Sequence, residues 1–184
     1  MEFWVIASKL MAMVSGFSIL FSFQPQQVLL TPPQIAIENE QLIVKSKLLN
    51  AFSEKLDEIF LSGTSVTLKF KISLKEKNGQ LIEEKEIFHT VSYDLVKKEW
   101  TVICASTSPP KKTVDTVQMK RWFRELNAKL VLGEKILPKK LYLLEIEANL
   151  LPIEIMALKD KKYDLMSFWG YKVPEVTSRV VLKE

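Results

Sequence analysis

The residues that could do acid–base or nucleophilic chemistry are few. His89 is the only histidine and Cys104 the only cysteine in the 184-residue sequence. A histidine base would need a serine or cysteine nucleophile within hydrogen-bond reach. Both residues fall on the apolar side of alternating segments, which predicts a satisfied or half-buried histidine and an inert core cysteine. We therefore predict no catalytic residue.

Metal, cofactor and glycosidase chemistry need clusters that the sequence does not offer. One histidine, one cysteine and scattered carboxylates do not form a typical zinc centre. Glu83, Glu84 and Glu86 lie close together, but neighbouring strand residues point to opposite faces, and Glu145 and Glu147 fit a solvated face. A paired-carboxylate glycosidase also needs a cleft and sugar-stacking aromatic residues. No nucleophile-elbow, Walker or Rossmann pattern is present, so we predict neither metal nor cofactor.

The composition is that of an ordinary globular domain with a mild basic excess. Hydrophobic residues make up 47% and charged residues 26%, and the formal net charge is +4. Four lysine doublets contribute to the charge: Lys97-Lys98, Lys111-Lys112, Lys139-Lys140 and Lys161-Lys162. Doublets at turns are typical of solvated surface, or of weak attraction to an anionic membrane. Without an aromatic-basic pattern, nucleic acid is not an expected partner.

The first half of the chain predicts a hairpin, a helix and a three-stranded meander. Alternation on both sides of Asn39 indicates the hairpin, and apolar residues spaced by three and four from Leu48 to Phe60 indicate a helix of about three turns. Strict alternation from Val66 to Lys75 predicts a half-buried strand. Asn78-Gly79 predicts the next turn, and the meander extends over roughly residues 65–106.

The second half predicts one more helix and two strands. A loop at Pro109-Pro110 leads to a helix capped by Asp115, whose apolar stripe reaches Leu130. Strands follow at Tyr142 to Ala148 and near Val176 to Leu182, with a short helix or turn near Ile153 to Leu158. We predict an α+β fold: an antiparallel sheet with a meander and hairpins, and two main helices packed on one face.

The N-terminal segment predicts export or membrane tethering. Residues 3–23 are almost wholly apolar, broken by Lys9 and four serines. We interpret residues 1–24 as a signal peptide or a membrane anchor, 25–33 as a linker and 34–184 as a single α+β domain. Cleaved and uncleaved leaders both fit, as does a start at Met1 or Met11, and a buried N-terminal helix is a further alternative. Both leading interpretations place the domain in the periplasm or on the outer face of the inner membrane.

Aromatic residues are dense near the C-terminus. Phe168, Trp169 and Tyr171 fall within four positions. They fit a C-terminal flap that closes the core. They also fit an exposed apolar patch for a partner or lipid, and we predict them as a candidate partner surface.

Three stretches together resemble a bacterial protein family, domain of unknown function family 4390. They are LSGTSVTLKFKISL, VSYDLVKKEWTV and LLPIEIMALKDKKYDLMSFWGYKVP. The resemblance covers most of residues 34–174 and implies an exported envelope protein, with a weak link to membrane sensor kinases. The matching positions are Gly63, Tyr93, Leu95, Trp100, Leu151, Pro152, Tyr163, Leu165, Ser167 and Trp169.

Strong core patterning without a reactive cluster favours a domain that works by contact. We predict a non-catalytic interaction or accessory signalling module that binds an envelope or membrane protein, with a sensor kinase as one candidate. A carrier of apolar ligands or lipids is the first alternative, because a helix over a curved sheet can enclose a cavity. An enzyme with His89 as its base is the second.

Overall fold

Two antiparallel sheets and two short helices make up the fold in the computed structural model, which describes residues 27–38, 41–104, 107–131, 140–154 and 162–181. The α+β class with antiparallel sheets is confirmed, and the fold is rich in strand. The described strands are β1 (Leu29–Leu30), β2 (Gln34–Glu38), β3 (Gln41–Leu49), β4 (Val66–Glu76), β5 (Leu81–Asp94), β6 (Glu99–Cys104), β7 (Thr107–Thr113), β8 (Glu125–Val131), β9 (Leu141–Leu150), β10 (Ile153–Glu154), β11 (Lys162–Tyr163) and β12 (Glu175–Val181). The helices are α1 (Glu54–Leu61), α2 (Thr116–Arg124) and a 3₁₀ turn at Leu165–Trp169.

The large sheet has six strands in the order β12-β9-β4-β5-β6-β7. Its middle, β4-β5-β6, is the predicted meander, and every neighbouring pair is antiparallel. Burial alternates along β9 at every residue from Leu141 to Leu150. Because successive side chains point to opposite faces, one face of the sheet is apolar and buried and the other is polar and wet.

The small sheet is centred on β3. Strand β8 pairs with one edge of β3, while β2 and then β1 pair with the other edge. Thr31, between β1 and β2, donates its amide N–H to the carbonyl of Lys47 at 3.0 Å, so the two short strands continue one another along that edge. A separate two-stranded pair joins β10 to β11.

The core lies between the inner faces of the two sheets and the helices. Helix α1 contributes Phe60 and α2 contributes Phe123, whose rings meet edge to face at a centroid distance of 5.5 Å. Phe60 also meets the ring of Trp100 on the inner face of β6 at 6.5 Å. On the surface, Lys120 of α2 lies 2.6 Å from a carboxylate oxygen of Asp57 in α1. The helices therefore contact each other and the same face of the large sheet.

The predicted first helix begins too early. Strand β3 extends to Leu49 because Leu48 and Leu49 pair with β1, and α1 starts only at Glu54. Ser53 caps it by accepting a hydrogen bond from the backbone N–H of Leu56 at 3.3 Å. Spacings of three and four across a strand end and a short helix imitate one longer helix.

The predicted second helix ends too late. Asp115 is the N-cap, as predicted, and accepts from the N–H of Val117 at 2.8 Å. Helix α2 stops at Arg124 and passes directly into β8, whose inward residues Leu126, Ala128 and Leu130 alternate. The apolar residues of this run fit both an alternating strand and a helix with spacings of three and four. Pairing with β3 stabilises the strand.

Three further boundaries differ from the predictions. Pro109 and Pro110 lie in β7 rather than in a loop. An edge strand allows this where its pairing is irregular, and the β6–β7 register shifts between Val102 and Cys104, opposite the prolines. The domain includes part of the predicted linker, since Val28 and Leu30 are buried in the core. The predicted turn at Asn39 lies outside the described residues, and of the turn near Ile153 to Leu158 the first two residues are strand β10.

The turn between β5 and β6 holds a lysine in the left-handed region. Asp94 accepts hydrogen bonds from the N–H groups of Val96 and Lys97 at 3.0 and 2.9 Å, and Lys98 has a φ of 53°. These hydrogen bonds, that of Lys97 foremost, lower the pKa of the Asp94 carboxyl. A non-glycine residue in this conformation costs about 1 kcal/mol or more.

Replacing Lys98 by glycine is therefore expected to raise the unfolding free energy by roughly 0.5–1 kcal/mol. Urea denaturation of the purified chain measures it. Lys97→Gly is the matched control, since it removes the same charge at a residue with ordinary φ, and it is expected to be neutral or destabilising. A Lys98→Gly variant no more stable than the Lys97→Gly variant contradicts the strain at this turn.

Candidate functional site: the outer face and free edge of the small sheet

His89 lies in the core, on the inner face of β5. Its side chain is 1% exposed, its ring meets that of Phe70 at 5.3 Å, and Nδ1 lies 2.9 Å from the carbonyl oxygen of Phe123. A carbonyl oxygen accepts and does not donate, so Nδ1 carries the proton and Nε2 has the free lone pair. Burial lowers the pKa of His89, which keeps the ring neutral. In this conformation His89 cannot reach a substrate in solvent.

Cys104 is also withdrawn from solvent. It lies directly opposite His89 across the β5–β6 pair, is 5% exposed, and its Sγ is 3.8 Å from the carbonyl oxygen of Trp122. A buried thiol among aromatic side chains behaves as a small apolar residue. The histidine and the cysteine thus sit side by side in the core, where they secure the junction between α2 and β8 through backbone carbonyls.

The C-terminal aromatic residues are split between core and surface. Trp169 is 7% exposed, and its indole N–H donates to the carbonyl of Ala51 at 3.0 Å. Phe168 is half-buried against the core, whereas Tyr171 is 69% exposed. The structure therefore places Trp169 in the core and does not bring the three residues into one exposed patch. A partner role for Tyr171 stays a prediction.

The outer face of the large sheet is covered by paired charges. Lys69 lies 3.0 Å from Glu86, Lys71 lies 3.1 Å from Glu84, and Lys75 is paired with Glu145. The hydrogen bond between Lys71 and Glu84 raises the pKa of the lysine and lowers that of the glutamate. These exposed pairs contribute little to stability, but they leave this face with balanced charge.

The outer face of the small sheet is different in both shape and charge. Two adjoining shallow grooves of about 390 and 340 Å³ lie on it, and Gln34, Lys45 and Asn127 line both. These three residues form one row across β2, β3 and β8 in the strand register. The remaining lining residues are Ile35, Ala36, Glu38, Ile43, Ser46, Lys47, Glu125, Leu126 and Lys129.

Three lysines on this outer face have no carboxylate partner among the described residues. Lys45, Lys47 and Lys129 are exposed, and none has a carboxylate oxygen within 4.0 Å there. Glu125 is opposite Lys47 but lies 3.4 Å from Nε of Arg121 instead. The sequence signal for this face was the alternation of Lys45 and Lys47 with buried neighbours, which our sequence analysis did not single out.

The lysine doublets behave mostly as solvated surface. One member of each doublet has a carboxylate within 4.0 Å, while Lys111 lies over the ring of Trp122 at 5.4 Å. The pairs are Lys97 with Asp94, Lys112 with Glu99, Lys140 with Glu76 and Lys162 with Glu154. Lys139 and Lys161 lie outside the described residues.

Of the four described outer edges of the two larger sheets, three carry features that hinder pairing with another strand. β7 carries two prolines, part of β12 has the two-residue strand β1 nearby, and the free side of β8 receives Lys85, whose Nζ donates to the carbonyl of Lys129 at 2.8 Å. Prolines and lysines are common means of blocking an exposed edge. The fourth edge, β2, is exposed or half-exposed at all five residues, and no side chain among the described residues is hydrogen-bonded to its backbone.

The register fixes which β2 backbone groups face outward. The carbonyl of Lys47 bonds to Thr31, so odd-numbered residues of β3 direct their backbone groups toward the β1–β2 side. Their partners Gln34, Ala36 and Glu38 therefore bond to β3. The N–H and C=O groups of Ile35 and Ile37 point away from the sheet. The carbonyl of Lys129 also points away from β3, toward Lys85, because Lys129 pairs with Ile43 and the same parity holds.

Comparisons with known proteins add little. No protein-family model and no curated protein matches the chain. Solved structures similar to it include a β-glucuronidase of Bacteroides uniformis and that organism's β-glucuronidase 2 covalently bound to cyclophellitol-6-carboxylate aziridine. Each is 10% identical over 85% of this chain, with a TM-score of 0.33, and the chain spans 13% of each enzyme. At this TM-score we infer neither fold nor activity from them.

The free energy of unfolding is expected to decrease as the pH is lowered below about 6.5, because of His89. The unfolded histidine takes up a proton near its ordinary pKa of 6.5, whereas the folded one resists protonation until a lower pH. The unfolded state therefore binds more protons in that window, and stability is lost by at most ~1.4 kcal/mol per pH unit.

The test is urea denaturation of wild type and His89→Gln between pH 7.5 and 5, above the range where most carboxyls titrate. The variant is expected to lose less stability on acidification, whatever its stability at pH 7.5. Equal slopes in the two proteins contradict a neutral, buried His89.

Trp169→Phe is expected to cost about 1–2 kcal/mol of unfolding free energy. The ring still fills the core, but the buried carbonyl of Ala51 loses its donor. Tyr171→Ala, two positions along and exposed, is the control and is expected to change stability by less than ~0.5 kcal/mol. Chemical denaturation followed by circular dichroism measures both. Equal effects of the two substitutions rule out the assigned role of Trp169.

Proposed function

We propose that the chain is a non-catalytic interaction domain of the bacterial cell envelope. It is exported to the periplasm or tethered to the outer face of the inner membrane, and it binds an envelope or membrane protein. The observation that carries the proposal is the free edge of β2: among the described residues, no proline within the strand, no neighbouring strand and no covering lysine protects it.

The binding mode we propose is strand addition. An extended segment of the partner pairs with the outward N–H and C=O groups of Ile35 and Ile37 and extends the small sheet. Backbone hydrogen bonds supply much of the affinity in this mode, and neighbouring side chains supply selectivity. Ile37 is 45% exposed at the rim and offers an apolar contact for the added strand.

Delivery to the envelope rests on residues 3–23, which we propose to act as a signal peptide or an anchor. That apolar run ends a few residues before β1. Within the described part of the chain, neither helix is long and apolar enough to cross a membrane. The resemblance to family 4390 supports the same placement and makes a sensor kinase one candidate partner.

The carrier and enzyme alternatives have less support. The two grooves are shallow and have lysine, glutamate and amide side chains beside apolar ones, so they do not enclose an apolar ligand. The space between the helices and the large sheet is filled by the rings of Phe60, Phe123 and Trp100. His89, the base that an enzyme would use, is buried in the core.

Two proline variants of β2 test strand addition. Proline removes one backbone N–H and is tolerated at an edge where that N–H points outward. Ile37→Pro is therefore expected to keep the melting temperature within a few degrees while losing at least tenfold in partner recovery. Ala36→Pro removes an N–H bonded to β3 and is expected to lower the melting temperature by clearly more.

Partner recovery is measured by affinity capture of the full chain from envelope membranes after mild cross-linking. A specific protein present with wild type and absent with stable Ile37→Pro supports the proposal. Unchanged recovery with Ile37→Pro, or no specific protein with wild type, contradicts it.

A further inference from the structure

The outer face of the small sheet has the charge and layout to rest on an anionic bilayer. Lys45 and Lys47 are two positions apart on β3, which places their Cα atoms about 7 Å apart. Lys129 on β8 is diagonal to Lys45, because it pairs with Ile43, and such neighbours lie about 7–8 Å apart. Three ammonium groups thus share one small area.

Polar groups around Lys45 suit phosphate oxygens. Gln34 and Asn127 flank Lys45 in the same cross-strand row, and their amides supply N–H donors. Among the residues that the structure describes, the carboxylates on this face are those of Glu38 and Glu125. Glu125 is 3.4 Å from Nε of Arg121, so it offsets the arginine more than the lysines.

The lysines of the small sheet differ from those on the outer face of the large sheet in their carboxylate partners. There the lysines Lys69, Lys71 and Lys75 are each paired with a glutamate, so they have little charge to offer a partner. Those of the small sheet have no such partner among the described residues and remain free to attract anions. Attraction to an anionic leaflet amounts to about a fivefold change in the bound-to-free ratio for each lysine.

The position of the face along the chain identifies the anion as lipid. Strand β1 begins at Leu29, six residues after Phe23, the end of the apolar run. Six extended residues span at most about 22 Å. If residues 3–23 are held in the membrane, as proposed above, the small sheet is the part of the domain kept near the headgroups.

We propose that the outer face of the small sheet docks on anionic phospholipid headgroups through Lys45, Lys47 and Lys129. Docking orients the domain on the membrane and leaves the edge of β2 accessible from the side. The face and the edge are separate surfaces, so lipid docking and strand addition can occur together.

Energy transfer from a labelled domain to the bilayer tests the docking. The full chain carries a fluorophore on a Val131→Cys substitution, a position 63% exposed at the end of β8, in a Cys104→Ala background. It is reconstituted with vesicles of phosphatidylcholine alone or with 30% phosphatidylglycerol, each containing acceptor-labelled headgroups. The efficiency of energy transfer is expected to be higher with the anionic lipid than without it, and to decrease in 0.5 M salt.

Matched triple variants locate the effect. Lys45→Gln/Lys47→Gln/Lys129→Gln is expected to lower the docked-to-undocked ratio on the order of 100-fold, so that the anionic lipid no longer raises transfer. Lys69→Gln/Lys71→Gln/Lys75→Gln removes the same charge from the large sheet and is expected to keep the rise. Circular dichroism melting verifies that both variants fold.

Three results overturn the inference: transfer that ignores lipid charge, an equal loss in both triple variants, or an unchanged rise in the small-sheet variant. Ile37→Pro separates this inference from the proposed function. It is expected to keep lipid-dependent transfer, so failure of strand addition and failure of docking appear in different variants.

Discussion

Burial of the inner face of the large sheet is the constraint on which the structure depends. That face carries a fully buried row on β4 and another on β9, and it extends over β5 and β6 to Trp100. A sheet with one apolar face needs a cover, and here the small sheet covers one part while α1 and α2 cover another. The chemistry-bearing residues His89 and Cys104 belong to this covered face and are therefore removed from solvent. The surfaces that remain accessible are the outer faces of the two sheets and the sheet edges.

Much of this architecture was predictable because alternation is strict. The meander, the strand from Leu141 to Leu150 and the last strand follow from period-two patterning and turn residues such as Asn78-Gly79. The errors came where two periods fit the same residues. The run Leu126, Ala128, Leu130 alternates, yet it also continues a helical stripe, and only pairing with β3 selects the strand. Tertiary contacts of this kind are not visible in a local window.

The candidate surface was less predictable than the fold. The outward orientation of Lys45 and Lys47 could have been deduced from their neighbours. Whether those lysines have carboxylate partners depends on which strands lie beside β3, and on a register that brings Asn127 rather than an acidic residue opposite Lys45. That no strand in the described ranges covers the edge of β2 is likewise a property of the sheet order as a whole. Trp169 shows the reverse case: its core-closing alternative was foreseen, and the structure buries it.

The small sheet unites the functional proposals. It follows the N-terminal apolar segment in the chain, its face carries lysines without a carboxylate partner in the described part of the chain, and no described strand covers its β2 edge. A domain built this way can be held near a membrane and oriented there while a partner strand adds at the side. In the binding modes that we propose, charge on the face sets orientation and encounter, whereas the backbone groups of Ile35 and Ile37 set affinity.

Photo-cross-linking from the β2 edge in living cells tests the central claim most directly. A photo-reactive amino acid at Ile37 reports proteins within contact distance of that edge, and the same group at Val117, 76% exposed near the start of α2, reports contacts at a different element. The account predicts one discrete adduct with an envelope or membrane protein from Ile37 that is missing from Val117. No adduct at Ile37, or the same adducts from both positions, would contradict it.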